Sequence, residues 1–226
     1  MKLRTLWCFI FCTFAVILTA SPTPASLIMM GDGVHGDFSG TFSYSLTPVS
    51  STNALLTVQL QNTSPPDNGG FITAFAFNNP EDKITNVVLT ATDPDFHMIG
   101  GPNFQNNIKT SPYGNFDIGA SISSSFLSGG NPNKGIGVGS TETFTFNLTG
   151  TGLNSLNEWS FVNELSENPQ GGDAYWFLAR FRGFNDGSSD KVFAVPSGGG
   201  VPLPSSIILL GSGLLGLGAW AWRRKT

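Results

Sequence analysis

Thr141-Glu-Thr-Phe-Thr-Phe-Asn-Leu-Thr149 sets polar and apolar side chains on alternate positions. A period of two puts Phe144, Phe146 and Leu148 on one face and the threonines on the other, the pattern of a half-buried strand. Working outward, the same alternation recurs. Thr41 to Leu46 aligns Phe42, Tyr44 and Leu46; Leu56 to Gln61 aligns Leu56, Val58 and Leu60; Phe71 to Phe77 aligns Phe71, Phe75 and Phe77. Further strands are predicted over 84–91, 116–126, 158–163, 174–184 and 191–195. In the 174–184 run, Tyr175, Phe177, Ala179 and Phe181 form the core face. Trp176, Leu178, Arg180 and Arg182 form the other, with the arginines at the surface and within stacking reach of Trp176. Between the runs lie clusters of Gly, Pro, Asn and Asp at 64–70, 93–95, 100–103, 129–133, 168–172 and 185–189, which is turn chemistry. Phe96 to Tyr113 lacks alternation and reads as a long surface loop. Gly135, Gly137 and Gly139 read as a bulge or loop before the strand at Thr141. Short strands at regular spacing predict an all-β domain, an antiparallel β-sandwich of jelly-roll type.

The two ends have a different chemistry. Lys2 and Arg4 precede an apolar run from Leu6 to Leu18, then small residues at Thr19, Ala20, Ser21, Thr23, Ala25 and Ser26. This is the pattern of a secretory signal peptide over residues 1–25, with cleavage after Ala20 or Ala25. Both cysteines, Cys8 and Cys12, fall inside it, so the remaining chain has neither a disulfide nor a thiolate metal site available. Five of the 11 basic residues and none of the 15 acidic ones lie in the two terminal segments. The part between them therefore carries six basic against 15 acidic side chains, a net charge of −9. Such a surface repels nucleic acid and anionic lipid.

At the other end the chain reads Val201-Pro-Leu-Pro-Ser-Ser206, then an uncharged apolar run from Ile207 to Trp222, then Arg223, Arg224 and Lys225. The prolines keep their segment out of a helix. The run is predicted to be one transmembrane helix, about 24 Å long, with Trp220 and Trp222 at the interface and Arg223, Arg224 and Lys225 as a cytoplasmic stop. The residues before it, Ser197-Gly-Gly-Gly200, form a flexible tether. The expected organisation is a β-sandwich over 26–196, a linker over 197–200, and a tail over 201–226. Val201, Pro202, Leu203, Pro204 and Ser205, with the glycine-punctuated run and basic end behind them, resemble the PEP-CTERM sorting signal of Gram-negative bacteria in its V-P-L-P variant. Leu203 stands where the name-giving form has Glu. The resemblance implies recognition by an exosortase, a membrane protease, with removal of the helix. It also implies an inner-membrane precursor that becomes a cell-surface or extracellular protein linked to exopolysaccharide and biofilm. The stretch from Ala174 to Val192, with its spaced Phe residues and Gly187-Ser-Ser-Asp-Lys-Val192, is similar to the end of many cargo domains of this kind and implies no activity.

Residues that could carry chemistry have bland explanations beside them. His35 and His97 lie in no nucleophile motif and read as surface histidines. Asp93 with Asp95, and Glu164 with Glu167, are the close carboxylate pairs a glycoside hydrolase would need, but turn formation and a solvated edge explain them. Asn185, Asp186, Ser189 and Asp190 offer oxygens for calcium, as do Gly31-Asp-Gly33 and Asp37, without matching a known loop. Asn62-Thr-Ser64 and Asn147-Leu-Thr149 match the glycosylation sequon by chance. The expectation is a non-enzymatic exported surface or matrix protein that needs no cofactor. Its rival is a carbohydrate-binding module with Trp176, Tyr113 or Trp159 as platform, and a secreted hydrolase comes third.

Overall fold

A computed structural model describes residues 26–47 and 51–197. The chain forms β1 (Ser26–Asp32), β2 (Asp37–Leu46), β3 (Asn53–Asn62), β4 (Gly69–Phe77), β5 (Ile84–Ala91), β6 (His97–Ile99) and β7 (Ile108–Lys109). It continues with β8 (Asn115–Phe116), β9 (Ile118–Ser121), β10 (Ile136–Gly137), β11 (Thr141–Gly150), the short helix α1 (Glu158–Asn163), β12 (Phe177–Phe184), β13 (Ser189–Phe193) and β14 (Val195–Ser197). The expected signal peptide, transmembrane helix and basic stop lie outside the described residues. Among the described residues no helix is long and apolar enough to cross a membrane.

Every strand pairing is antiparallel. The first sheet has the order β14-β1-β2-β3-β11-β5, the second β13-β12-β4-β9-β6, with β10 alongside β4. β7 and β8 form a separate two-stranded ribbon. The chain crosses between the sheets at each step from β3 to β6 and again from β10 to β12, as in a jelly roll, but does not do so throughout. Here β1, β2 and β3 are consecutive neighbours in one sheet, as are β12 and β13 in the other.

The alternation holds for most of the predicted faces, but Leu46 is exposed, and a register shift opposite β4 puts Ile72 in place of Phe71 in the core beside Phe75 and Phe77. Phe144, Phe146 and Leu148 are buried, as are Phe42, Tyr44, Leu56, Val58 and Leu60. They meet the inner face of the second sheet ring on ring. Phe75 lies against Phe144 at 4.6 Å between centroids, Phe77 against Phe146 at 5.2 Å and Phe42 against Phe77 at 5.6 Å, all edge to face. Such pairs add about 0.5–1.5 kcal/mol beyond area burial. β4 is buried on both faces, because its outer positions are Ala74 and Ala76. Over that outer face a second apolar cluster forms from Ala74, Ala76, Ile99, Ile108, Phe116, Phe126 and Leu178, with Tyr113 and Tyr175 at its margin.

Three sequence expectations are corrected. Residues 158–163 form α1, not a strand, because Asn157 caps the helix and exchanges hydrogen bonds with Ser160 in a capping box. Residues 96–113 are not a surface loop: Phe96, Ile99, Phe104 and Ile108 are buried, and the segment covers the second sheet. The single strand expected over 116–126 is broken. The carboxylate of buried Asp117 accepts the Asn79 and Asn106 amides, and the flanking Phe116 and Ile118 go to opposite clusters. The 135–139 glycine stretch supplies the two-residue strand β10, and β14 takes Ser197 into the sheet from the expected tether.

Candidate functional site

The outer face of the second sheet gathers features that the rest of the surface lacks. On β12 and β13 the positions facing away from the core are Arg180 and Arg182, and Lys191 and Phe193. Arg180 pairs directly across from Lys191 in the register of the two strands. Phe193, 37 % exposed, stacks on Tyr175 at 4.4 Å and 18°. Tyr175 meets Tyr113 edge to face at 5.7 Å. The Lys191 ammonium lies 6.0 Å over the Tyr113 ring and donates to the Ser111 carbonyl at 2.8 Å. Ser166 fixes the two tyrosines: its hydroxyl donates to the Tyr113 carbonyl and accepts from the Tyr175 amide. Gly114 follows Tyr113 at φ +89°, and a Cβ there would lie 2.5 Å from the Glu167 carbonyl oxygen, so only glycine lets these two loops close together.

Beside the rings is a cleft of about 230 Å³ lined by Lys109, Ser111, Gly114, Asn115, Asn168 and Gln170. A larger cleft of about 660 Å³ lies between the 98–109 segment and the 124–127 loop. Its lining carries Lys109, Asn107, Ser124 and Ser125 over an apolar floor of Ile99, Ile108 and Phe126, with no carboxylate and no histidine.

Burial, then the charge of Arg180, hold the Lys191 ammonium below its ordinary range. Burial, then Arg182, likewise lower Arg180. Burial raises the Tyr175 hydroxyl, with Asp173 adding to it.

The three expected platform aromatics do not come together. Trp176 is only 4 % exposed; it precedes β12, and its indole Nε1–H donates to the Ala194 carbonyl at 2.9 Å inside the main core. It therefore stacks on no surface arginine. Trp159 is 48 % exposed on α1. Only Tyr113 lies in the ring cluster; Tyr175, expected on the core face with Phe177, packs instead at the margin of the outer cluster against Phe193, and Trp176 takes the core position.

The carboxylate pairs are spent on turns and ion pairs. Asp93 accepts the Asp95 amide, and Asp95 pairs with Lys134 at 2.7 Å. Glu164 accepts the Glu81 amide, and Glu167 pairs through its backbone with Asn115. The calcium candidates meet at one end of the fold. Asp190 accepts the His35 and Gly36 amides, Asp186 accepts the Ser188 amide and Asn185 donates to the Asp67 carbonyl. Asp37 accepts the Gly33 amide. Burial, with the nearby Asp32 and Asp190 charges, raises the Asp37 carboxyl. Among the described residues no group of three His, Cys, Asp or Glu side chains is placed to hold a metal ion. His35 packs at a tilt against Phe184 and lies 3.7 Å from Asp186, and His97 is exposed on β6. Asn62 is fully buried, donating to the Gly70 and Ile136 carbonyls, so its sequon is closed to a glycosylating enzyme.

The described domain ends in β14, and the Val201-Pro-Leu-Pro segment with its apolar run comes after it in the chain. This stretch matches the family model described as the PEP-CTERM protein-sorting motif. Residues 200–225 carry that sorting motif. The motif implies an exported chain that an exosortase processes. It covers the tail alone. No curated protein and no solved structure matches the chain.

The outer-face cluster is partly visible in the sequence. The period of two places Arg180 and Arg182 outward, but Lys109, Lys191, Tyr175 and Phe193 carry no motif. The signal that points to them is the charge balance: six basic residues against 15 acidic ones make any gathering of cations worth noticing.

Proposed function

We propose that the chain is a non-enzymatic component of the cell surface or extracellular matrix, tied to exopolysaccharide and biofilm. In this reading it is made as an inner-membrane precursor and released or re-anchored by an exosortase. The observation that carries it is the sorting motif at 200–225, set just beyond the last strand of a domain that draws no cysteine into its fold. A domain held by packing alone needs no further chemistry after export, and Pro202 and Pro204 follow the last described strand in the chain. Pro202 and Pro204 favour an extended backbone, the form in which a protease takes its substrate. The test is intact mass and fractionation. Native surface protein should lack Ile207–Thr226, and the Pro202→Ala, Pro204→Ala double variant should remain as full precursor in the inner membrane. Native surface protein that keeps its tail would make the segment a permanent anchor and end the sorting reading.

A second reading, a carbohydrate-binding module, is favoured by the Tyr113, Tyr175 and Phe193 cluster beside a cleft lined by hydroxyl and amide side chains. Rings with exposed edges next to side-chain amides suit a sugar, which presents both apolar C–H faces and hydroxyls. It is compatible with the first reading, because a matrix protein must hold something.

A further inference from the structure

The charge on the described domain is unevenly placed. Of its six basic residues, Lys83 pairs with Glu81 at 2.8 Å and Lys134 with Asp95 at 2.7 Å. Among the described residues, Lys109, Arg180, Arg182 and Lys191 pair with no carboxylate. Arg180, Arg182 and Lys191 share the outer face of β12 and β13, and Lys109 lines the cleft with Ser111, whose carbonyl accepts from Lys191, although 15 acidic residues were available to neutralise them. Arg180 stands directly opposite Lys191, and like charges in that relation destabilise a sheet. Arg182 follows on the same face of the same strand.

Loop anchoring explains part of this. Arg180 Nη1 donates to the Phe126 and Ser128 carbonyls, Arg182 Nη1 to Gly130 and Lys191 Nζ to Ser111. Those carbonyls can also be served by a neutral donor, with a weaker bond. Nothing in loop anchoring requires three cations abreast, and among the described residues Lys109 has no side-chain hydrogen bond to anchor a loop. Each of the others keeps further N–H groups after its carbonyl is served, since guanidinium has five and ammonium three.

We infer that this face binds an acidic polysaccharide, with Lys109, Arg180, Arg182 and Lys191 taking sugar carboxylates. Tyr113, Tyr175 and Phe193 pack against the rings between them. The inference rests on the binding-module reading and adds the charge of the ligand. Guanidinium and carboxylate match in a two-pronged geometry. A polyuronate carries both carboxylates and apolar ring faces, which a row of cations beside a cluster of aromatic rings can take. Duplex DNA carries one charge per about 1.7 Å, far more than four cations can meet against a net charge of −9. The cleft of about 230 Å³ beside Lys109 gives Ser111, Asn115, Asn168 and Gln170 to the hydroxyls.

The experiment measures binding of the full chain, purified in detergent, to immobilised polygalacturonate and to its fully methyl-esterified form. The two probes share a backbone and differ in charge. At about 0.05 M salt, where screening is slight, the acid form should bind at least about tenfold tighter, and the difference should shrink as salt rises. Lys109→Glu, which breaks no hydrogen bond among the described residues, should weaken binding to the acid form about tenfold and the ester by much less. Tyr175→Ala should weaken both. Equal binding to acid and ester would overturn the inference while leaving the binding-module reading standing. Binding to neither would remove both. Tighter binding to a single-stranded oligonucleotide or to phosphatidylserine vesicles would reassign the face. An unchanged affinity in Lys109→Glu would also overturn the inference, and Lys191→Glu with an unaltered circular-dichroism spectrum provides the independent check.

Discussion

Tyr44 shows how one side chain ties the first sheet to the segment after β11. Its hydroxyl donates to the Leu153 carbonyl at 2.7 Å, and its backbone amide donates to the buried Glu158 carboxylate at 2.9 Å. Burial, then the Glu158 charge, pushes the phenol up to about 12. A folded value above the unfolded one means that the stabilisation is complete below about pH 10 and disappears as pH rises through about 12. Stability should therefore fall steeply over that alkaline window. Tyr44→Phe should lose about 1 kcal/mol at neutral pH, because the Leu153 carbonyl is left unpaired, and should flatten the alkaline fall. Urea titrations from neutral to strongly alkaline pH check both; an equally steep fall in the phenylalanine variant would show that another group is responsible. Asp37 and Asp117 act in the same sense, but in the acid range. Burial raises both carboxyls, so their contribution grows as pH falls toward the unfolded value and is lost as pH rises through the folded one.

At the scale of elements, the strands that alternate strictly are legible in the sequence and the rest are not. β5 spans the predicted 84–91, and β11 extends the predicted 141–149 by one residue. Alternation reports a strand with one wet face, and the first sheet has a wet outer face. Where the second sheet is covered on both sides the signal fades: Leu178 falls on the outward face by its period yet is fully buried, because the 96–128 excursion lies over it. The ring cluster is hidden for the same reason, since Tyr113 and Tyr175 are brought together by loops and not by a period. α1 reads as a strand because Trp159, Phe161 and Asn163 fit a period of two as well as a helical turn does. The deciding residues, Asn157 and Ser160, are polar and lie at and just inside the helix start. Asn157→Ala should cost about 1 kcal/mol and loosen α1, since it removes the acceptor for the Ser160 amide. Asn157→Asp should keep the acceptor and most of the stability. Thermal melts of the two variants, compared with the parent, test the cap; identical losses would assign the role of Asn157 to something other than its side-chain oxygen.

For the molecule as a whole, the decisive arrangement is that its first and last described strands are neighbours. β14 pairs with β1 at the edge of the first sheet, with Ile28 opposite Ser197, Met29 opposite Pro196 and Met30 opposite Val195. The sorting motif begins a few residues beyond that pairing, so cleavage there removes none of the described strands. The edge itself needs covering. β1 presents Ile28, 44 % exposed, and Met30, 52 % exposed, and its backbone would offer a free row of N–H and C=O groups if β14 were gone. Pro196 lies in the covering strand, and a residue without an N–H suits an edge that must not recruit another chain. A chain of residues 26–197 should therefore keep the thermal midpoint of the processed protein and stay monomeric. A chain of residues 26–194 should melt lower and associate with rising concentration, because β1 becomes an open template. Sedimentation velocity across a concentration series, alongside thermal melts, separates the two. If the shorter chain stays monomeric with an unchanged midpoint, β14 is dispensable trim. The domain would then end at β13, and the distance from the last structural strand to the sorting motif would be longer than the fold implies.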